Sequence, residues 1–275
     1  MKRDIILIVL AALLGCLNLS AKDKKDTQAF VHPWTGKRIA YIGDSVTDPN
    51  HGGGRVKHYW NFLSEWLESE AYVYAVSGHT WTQATGHIDK LNREHGQEVD
   101  VILFFLGTND FNASVPIGKW YSEELTEVER AAGYPRRTET LMQRKLNYDG
   151  ATVCGRINTA MLKVKQLYPT KQVVLLTPIH RGYAKFGGDN IQPEETFPNE
   201  LGLYIDDYIR AVREAGELWS IPVIDLFTLS GLQPLVPEQL IYFLNPEEDR
   251  LHPNTQGHER MAKTLLYQSM TLPVF

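Results

Sequence analysis

Three residues that are far apart in the chain have the side chains that nucleophilic ester chemistry requires. Ser45 ends the run Gly43-Asp44-Ser45, and Asp249 precedes His252 by three positions near the C-terminus. A catalytic serine needs a base to take its proton, and that base needs a carboxylate that fixes its tautomer and stabilises the imidazolium. We therefore predict Ser45 as nucleophile, His252 as base and Asp249 as the orienting carboxylate. Taken alone, each motif also fits a turn or a helix cap.

Two further short motifs carry groups that could stabilise an oxyanion. Gly78 follows Ser77, and Asn109 lies in the run Gly107-Thr108-Asn109-Asp110. The N–H groups of Ser45 and Gly78, together with the Asn109 amide, would form an oxyanion hole if they were aimed at one point. Each motif alone also fits an ordinary turn.

The pattern of apolar residues explains how these motifs could meet. Short apolar runs alternate with amphipathic segments, which is typical of βαβ units around a parallel sheet. The predicted strands are 38–42, 71–76, 99–106, 172–177 and 221–226, and the predicted helices are 56–69, 82–95, 155–168, 199–219 and 254–268. Ser45, Gly78 and Asn109 each follow a strand, at the sheet edge where ligands bind in open parallel sheets.

Two local expectations accompany this arrangement. We expect Ser45 to stand at the N-terminus of the next helix, where the helix dipole favours an alkoxide. We expect Asp249 and His252 to lie on a loop before the last helix, which Asn254 or Thr255 would cap.

The four motifs in this order resemble the SGNH hydrolase superfamily, also called GDSL esterases and lipases, over essentially the whole chain after the leader. The blocks are Gly43-Asp44-Ser45, Gly78, Gly107-Thr108-Asn109-Asp110 and Asp249-Arg250-Leu251-His252. The resemblance implies an α/β fold, a three-layer α/β/α sandwich with a five-stranded parallel flavodoxin-like sheet. It implies the same roles for Ser45, His252 and Asp249, an oxyanion hole of Ser45, Gly78 and Asn109, and no need for a cofactor or metal. Val46 stands where many members have leucine.

Two long segments interrupt the alternation, at about 111–151 and 181–198. The first contains a mixed-charge stretch around 123–132 that we predict to be helical. Long insertions after strands are often lids or binding loops. The candidate substrate-binding residues are Asp44, His79, Asp110, Phe111 and His180, and Arg181, Tyr183 and Trp120 are further candidates for the substrate wall.

Several other motifs and residue types could indicate a different kind of protein. His51-Gly52-Gly53-Gly54 is similar to the oxyanion motif of another lipase class, but the Gly-x-Ser-x-Gly elbow of that class does not occur, so His51 is predicted to lie on the pocket rim. The other histidines lack metal-site spacing. Cys154 is predicted to be a buried structural thiol. With 28 Lys+Arg against 33 Asp+Glu, the chain offers no basic patch for nucleic acid.

The N-terminus has the layout of an export signal. Lys2 and Arg3 precede an apolar run over 5–14, which is shorter than a membrane span. Cleavage could follow Ala21, or processing could occur before Cys16 and attach a lipid that tethers the protein to a membrane. We therefore expect a leader over 1–21, a linker over 22–36 and one domain over 37–275, in a periplasmic, cell-surface or secreted protein.

The function that the resemblance implies is hydrolysis of short-chain or acetyl esters of carbohydrates. A lipase or thioesterase with an apolar acyl tunnel is one alternative. A catalytically silent glycan-binding protein is the other.

Overall fold

The computed structural model describes residues 31–273, so the predicted leader and most of the predicted linker lie outside the described residues. Five parallel strands form the central sheet: β1 (Arg38–Gly43), β2 (Glu70–Ala75), β3 (Val101–Phe105), β6 (Gln172–Leu176) and β9 (Val223–Ile224). Their order in the sheet is β2-β1-β3-β6-β9. The predicted five-stranded flavodoxin-like sheet is therefore confirmed, although β9 is shorter than expected.

Helices cover both faces of this sheet. They are α1 (Tyr59–Leu67), α2 (Ala84–His95), α3 (Thr108–Asn112), α4 (Val153–Leu167), α5 (Ile205–Trp219), α6 (Leu226–Leu229) and α7 (Thr255–Ser269). Alternate residues of a strand point to opposite faces. Ala40 and Ile42 accordingly join a core with α2, α4 and α5, whereas Ile39 and Tyr41 join a second core with α1, α6 and α7. The result is the predicted three-layer α/β/α sandwich.

Of the last two long helices, α7 begins at the predicted cap and α5 begins later than predicted. Asn254 caps α7 as predicted, because its Oδ1 accepts the N–H groups of Gln256 and Gly257 at 2.9 and 3.1 Å. Helix α5 begins at Ile205 rather than at the predicted Asn199. Asn199 instead uses its side-chain oxygen to accept the N–H groups of a turn at Leu201 and Leu203.

The prediction of a helical stretch around 123–132 is wrong. This segment is a strand, β4 (Tyr121–Arg130), which pairs antiparallel with β5 (Arg137–Leu146) over ten residues of each. Its many glutamates are typical of a helix, but they face basic residues across the ribbon. Glu123 pairs with Arg144, and Glu124 pairs with Lys145. Cross-strand charge pairs of this kind stabilise a hairpin, so tertiary partners decide the conformation here.

The second insertion, 181–198, belongs to a small separate sheet. It contributes β7 (Ala184–Lys185) and β8 (Ile191–Gln192), and it joins β10 (Phe243–Asn245) and β11 (Asp249–Pro253) in the order β10-β11-β7-β8. Ala184 pairs with Asp249. The insertion is thereby fixed beside one of the predicted catalytic residues.

Among the described residues, no helix is long and apolar enough to cross a membrane.

Cys154 is buried in the core, as predicted, and this burial raises the pKa of its thiol to about 12. At neutral pH the thiol is therefore protonated and unreactive.

Candidate active site

Ser45 lies in a tight turn at the carboxyl end of β1. Asp44 shapes this turn, because its Oδ1 accepts the N–H of Val46 at 3.1 Å and its carbonyl oxygen accepts the N–H of Thr47 at 3.0 Å. A Cβ at Gly43 would approach the Thr47 side chain to 2.4 Å. Only glycine fits at that position, which explains why it precedes the turn.

No helix begins at Ser45, so the expectation that a helix dipole favours its alkoxide is wrong. The chain continues from the turn through a short 3-10 turn at His51–Gly54, and the first α-helix begins only at Tyr59. Activation of the serine must therefore come from a base.

The structure places the predicted base, His252, between Ser45 and the predicted orienting carboxylate, Asp249. His252 Nε2 lies 2.8 Å from Ser45 Oγ, and His252 Nδ1 lies 3.0 Å from both carboxylate oxygens of Asp249. With its proton on Nδ1, donated to Asp249, the imidazole can accept the serine proton at Nε2. Ser45 and His252 are only 5% and 4% exposed. The shielding from water strengthens each of these bonds.

Asp249 and His252 lie on strand β11 and not on the predicted loop. The strand forms because it pairs with β10 on one side and with Ala184 of the insertion on the other. Asp249 Oδ1 also accepts the N–H groups of Leu251 and His252, at 3.2 and 3.0 Å. These bonds fix the position of the carboxylate beside His252 Nδ1.

The structure brings Gly78 and Asn109, the two predicted oxyanion donors other than Ser45, to the same cavity as Ser45. A cavity of about 290 Å³ is lined by Ser45 and His252 and also by Gly78 and Asn109. Gly78 adopts a φ of +84°, a conformation that favours glycine. Asn109 Nδ2 donates to the carbonyl oxygen of His79 at 3.0 Å. This bond fixes the amide and leaves its second N–H available to a ligand.

His51 lies on the rim of this cavity, where the sequence places it. Its ring centroid is 3.9 Å from that of His252, and its Nδ1 is 3.3 Å from Ser77 Oγ. Ser77 in turn donates both N–H and O–H to Asp48 Oδ2, at 2.9 Å each. Burial, reinforced by the proximity of His252, lowers the pKa of His51 to about 4. His51 is therefore neutral at neutral pH and adds no charge beside the base.

His51, Asp249 and His252 also form a cluster of metal-ligand types, with one ligand atom from each within 4.8 Å of the others. Both ring nitrogens of His252 are occupied, one by Ser45 and the other by Asp249. An ion could bind His252 only by displacing one of these partners. The hydrogen bonds that join Ser45, His252 and Asp249 therefore account for the cluster.

None of the predicted substrate-binding residues lines this cavity, and for two of them buried hydrogen bonds explain why. Asp110 is fully buried and accepts from Trp81 N–H at 3.0 Å and from the Arg156 guanidinium at 2.9 Å. Asp44 is 3% exposed and is committed to its own turn. Burial raises the pKa of Asp44 to about 7, and the nearby charge of Asp110 adds to this effect. Both carboxylates are structural.

The remaining predictions for the substrate wall also need correction. His79 lies outside the Ser45 cavity, and its Nδ1 is 2.8 Å from His87 Nε2. His180 bonds Glu195 at 2.7 Å, and Trp120 donates to Glu214 at 2.7 Å. Arg181 is fully buried, Tyr183 does not line the Ser45 cavity, and Phe111 lines a neighbouring cavity instead.

Three residues that line the Ser45 cavity were not predicted from the sequence. Phe186, Asn190 and Gln192 lie in the second insertion, and the Phe186 ring centroid is 5.4 Å from that of His252. These residues belong to no motif or periodic pattern. The only signal that could have found them is the position of the insertion after a strand of the parallel sheet.

Comparisons with known proteins agree with this geometry. The model of the GDSL-like lipase/acylhydrolase family matches residues 41–260. A solved structure of a protein from Lactobacillus plantarum is 22% identical, with a TM-score of 0.64 over 85% of this chain and 96% of that chain. A possible lipase from Chitinophaga pinensis is 25% identical, with a TM-score of 0.61 over 84% of this chain and 97% of that chain. No curated protein matches the chain.

The family match spans most of the chain and includes the turn at Ser45, both oxyanion candidates and the Asp249–His252 pair. The fold of the solved structures agrees with it over nearly their whole length. The protein therefore belongs to the GDSL-like lipase/acylhydrolase family, within the SGNH hydrolase superfamily, and is a hydrolase.

Proposed function

We propose that the protein hydrolyses short-chain carboxylic esters of carbohydrates through an acyl-enzyme on Ser45. The observation that carries the proposal is the continuous chain of contacts from Ser45 Oγ to His252 Nε2 and from His252 Nδ1 to Asp249. It ends at a cavity that contains the two candidate oxyanion donors, Gly78 and Asn109.

In the first half of the reaction, Ser45 Oγ attacks the ester carbonyl while its proton passes to His252 Nε2. Asp249 stabilises the imidazolium that results. The negative charge on the former carbonyl oxygen is stabilised by N–H groups of Ser45, Gly78 and Asn109. When the tetrahedral intermediate collapses, His252 returns the proton to the leaving alcohol and Ser45 keeps the acyl group.

In the second half, water replaces the alcohol. His252 takes a proton from this water, which attacks the acyl carbonyl, and the same oxyanion donors stabilise the second intermediate. Collapse of this intermediate breaks the bond to Ser45 Oγ, which recovers its proton from His252. The products are the free acid and the unchanged enzyme.

The shape of the site supports a short acyl group. The Ser45 cavity has only two large apolar side chains in its wall, Phe186 and Leu251. The apolar hollow behind Leu251, lined also by Val46 and Ile179, has a volume of about 10 Å³. A space of that size holds about one water molecule. A long acyl chain would not fit in this hollow.

The experiment that tests the proposal is hydrolysis of an ester series from acetyl to long acyl by the wild type and by Ser45→Ala. We expect acetyl esters to be cleaved fastest, and the activity to be lost in the variant. Activity that rises with acyl length would favour a lipase or thioesterase. Activity that survives in Ser45→Ala would contradict the assignment of the nucleophile, and binding of glycans without any hydrolysis would favour a silent binding protein.

A second part of the proposal concerns location and rests on the sequence of the leader alone. We propose that the protein is exported, with either cleavage after Ala21 or lipidation of Cys16. Growth of producing cells with a radioactive fatty acid separates the two routes. Label on the wild type that is absent from Cys16→Ala would support lipidation, whereas no label on the wild type would contradict it.

A further inference from the structure

A second cavity, of about 320 Å³, adjoins the Ser45 cavity. Asn190 and Gln192 line both, so the two hollows meet at these side chains. Small-molecule sites usually occupy about 300–1,000 Å³, and this cavity lies at the lower end of that range. The cavity lies next to the Ser45 cavity, on the side of the second insertion. It could therefore accept the part of a substrate that extends beyond the reacting ester.

The walls of this second cavity combine apolar side chains with amides. Phe197 and Ile191 are 56% and 53% exposed and lie in the wall of the same cavity, and exposed apolar side chains that adjoin one another often mark a ligand site. Asn112, Asn190 and Gln192 contribute amide groups. A sugar ring has C–H faces that pack on apolar surfaces and hydroxyl edges that need hydrogen-bond partners. This combination of groups matches both parts of a sugar.

A buried arginine fixes the amides of this wall. Arg181 is fully buried, and its guanidinium donates to Asn112 Oδ1 and, at 2.9 Å, to Gln192 Oε1. Asn112 Nδ2 also donates to Gln192 Oε1 at 2.8 Å, and Gln192 Nε2 donates to Asn190 Oδ1 at 3.0 Å. All three amide oxygens are thus occupied by protein donors. Each amide can therefore rotate only at the cost of a hydrogen bond.

The same network leaves amide N–H groups for a ligand. A primary amide has two N–H donors. Asn112 and Gln192 each use one of theirs within the network, and Asn190 Nδ2 makes no hydrogen bond to another residue that the structure describes. The wall therefore presents donors that suit hydroxyl oxygens. An acyl chain would displace water from these donors without replacing its hydrogen bonds, which is costly.

We infer that the cavity formed around Asn112, Asn190, Gln192, Ile191 and Phe197 binds a neutral sugar unit on the alcohol side of the ester. The inference rests on the proposed function and deepens it, because it specifies oligosaccharide esters among the carbohydrate esters already proposed. It also gives the second insertion a role, since Asn190, Ile191 and Gln192 all belong to it.

The test compares three classes of substrate. They are 4-nitrophenyl acetate, acetylated monosaccharides, and the acetylated trisaccharides of xylose, glucose and N-acetylglucosamine. We expect at least one trisaccharide ester to be cleaved with a higher kcat/KM than its monosaccharide ester. In Phe197→Ala, the ratio of kcat/KM for that trisaccharide to kcat/KM for 4-nitrophenyl acetate should fall about tenfold, the effect of one good aromatic contact. Tyr267→Ala, which removes an aromatic residue that is 64% exposed on α7, is the matched control and should leave the ratio unchanged.

Binding measured without catalysis separates this inference from the proposed function. Calorimetry of Ser45→Ala with the unacetylated trisaccharides should show binding that weakens when Phe197→Ala is added. If no ester is hydrolysed by the wild type, the proposed function fails, and the calorimetry still decides whether the cavity binds sugar. The inference is overturned if Phe197→Ala and Tyr267→Ala behave alike in both assays, or if Phe197→Ala selectively slows hydrolysis of long acyl esters.

Discussion

His252 Nε2 lies 2.8 Å from Ser45 Oγ although the two residues are 207 positions apart in the chain. The contact depends on two different sheets. Ser45 follows β1 of the parallel sheet, and His252 lies on β11 of the small antiparallel sheet. Catalysis by this pair therefore requires that the two sheets hold their positions relative to each other, and α7, which follows β11 directly, packs against the face of the parallel sheet that carries Tyr41.

Replacing Asp249 with Asn should preserve the fold and remove most of the activity. The Asn oxygen can still accept the N–H groups of Leu251 and His252, but the amide no longer favours the imidazole tautomer with its proton on Nδ1. We expect kcat for acetyl esters to fall on the order of 10³–10⁴-fold. Glu248→Gln, at the exposed neighbouring position, is the control. A loss of less than tenfold would show that Asp249 does not orient the base.

The Asn109 amide should act on the transition state rather than on substrate binding. We expect Asn109→Ala to lower kcat by about 100-fold or more with little change in KM, because the amide meets negative charge only after attack on the carbonyl. Asn109→Asp keeps the size of the side chain but loses the donor and adds a charge, so it should be at least as slow. A loss confined to KM in steady-state kinetics would assign Asn109 to ground-state binding instead.

The buried carboxyl of Asp44 should make stability depend on pH. Burial raises its pKa from the usual 3.8 to about 7, so the folded protein binds a proton that the unfolded chain has already released between these values. Stability therefore falls as the pH rises through this window, by up to about 4 kcal/mol. Asp44→Asn removes the charge, so its stability advantage over the wild type should be larger at pH 8 than at pH 5.

Urea unfolding of both proteins at these two pH values checks this expectation. The comparison of variant with wild type cancels the contributions of all other titrating groups. Asp189→Asn, at an exposed position, should show the same stability difference from the wild type at both pH values. A pH-independent difference for Asp44→Asn would mean that Asp44 does not titrate in this range.

The ribbon of β4 and β5 should be dispensable for the fold. Its strands pair with each other, and Tyr121 lies opposite Leu146, so a short glycine linker could replace the residues between them. A two-stranded ribbon has little stability of its own. We expect the shortened protein to unfold at the same urea concentration as the full chain and to cleave 4-nitrophenyl acetate at the same rate. Loss of folding would show that the ribbon contributes to the core.

The elements that could be predicted from sequence are those whose signals are local. The strands of the central sheet are short apolar runs, and the turn at Ser45 requires a glycine beside Thr47. The glutamate-rich stretch around 123–132 could not be assigned in this way, because its conformation depends on basic partners such as Arg144 in another segment. For the same reason, the wall formed by Phe186 and Asn190 had no signal in the sequence, since only pairing of the insertion with β11 brings it to Ser45.

The proposed mechanism depends on Ser45 as the nucleophile that His252 activates. An organophosphonate that reacts with activated serines, followed by intact-mass measurement and peptide mapping, tests it without knowledge of the natural substrate. We predict a single adduct on the peptide that contains Ser45, no adduct on Ser45→Ala, and a rate of labelling that falls sharply in His252→Ala. Labelling of another residue, or equal labelling of the wild type and Ser45→Ala, would contradict the account.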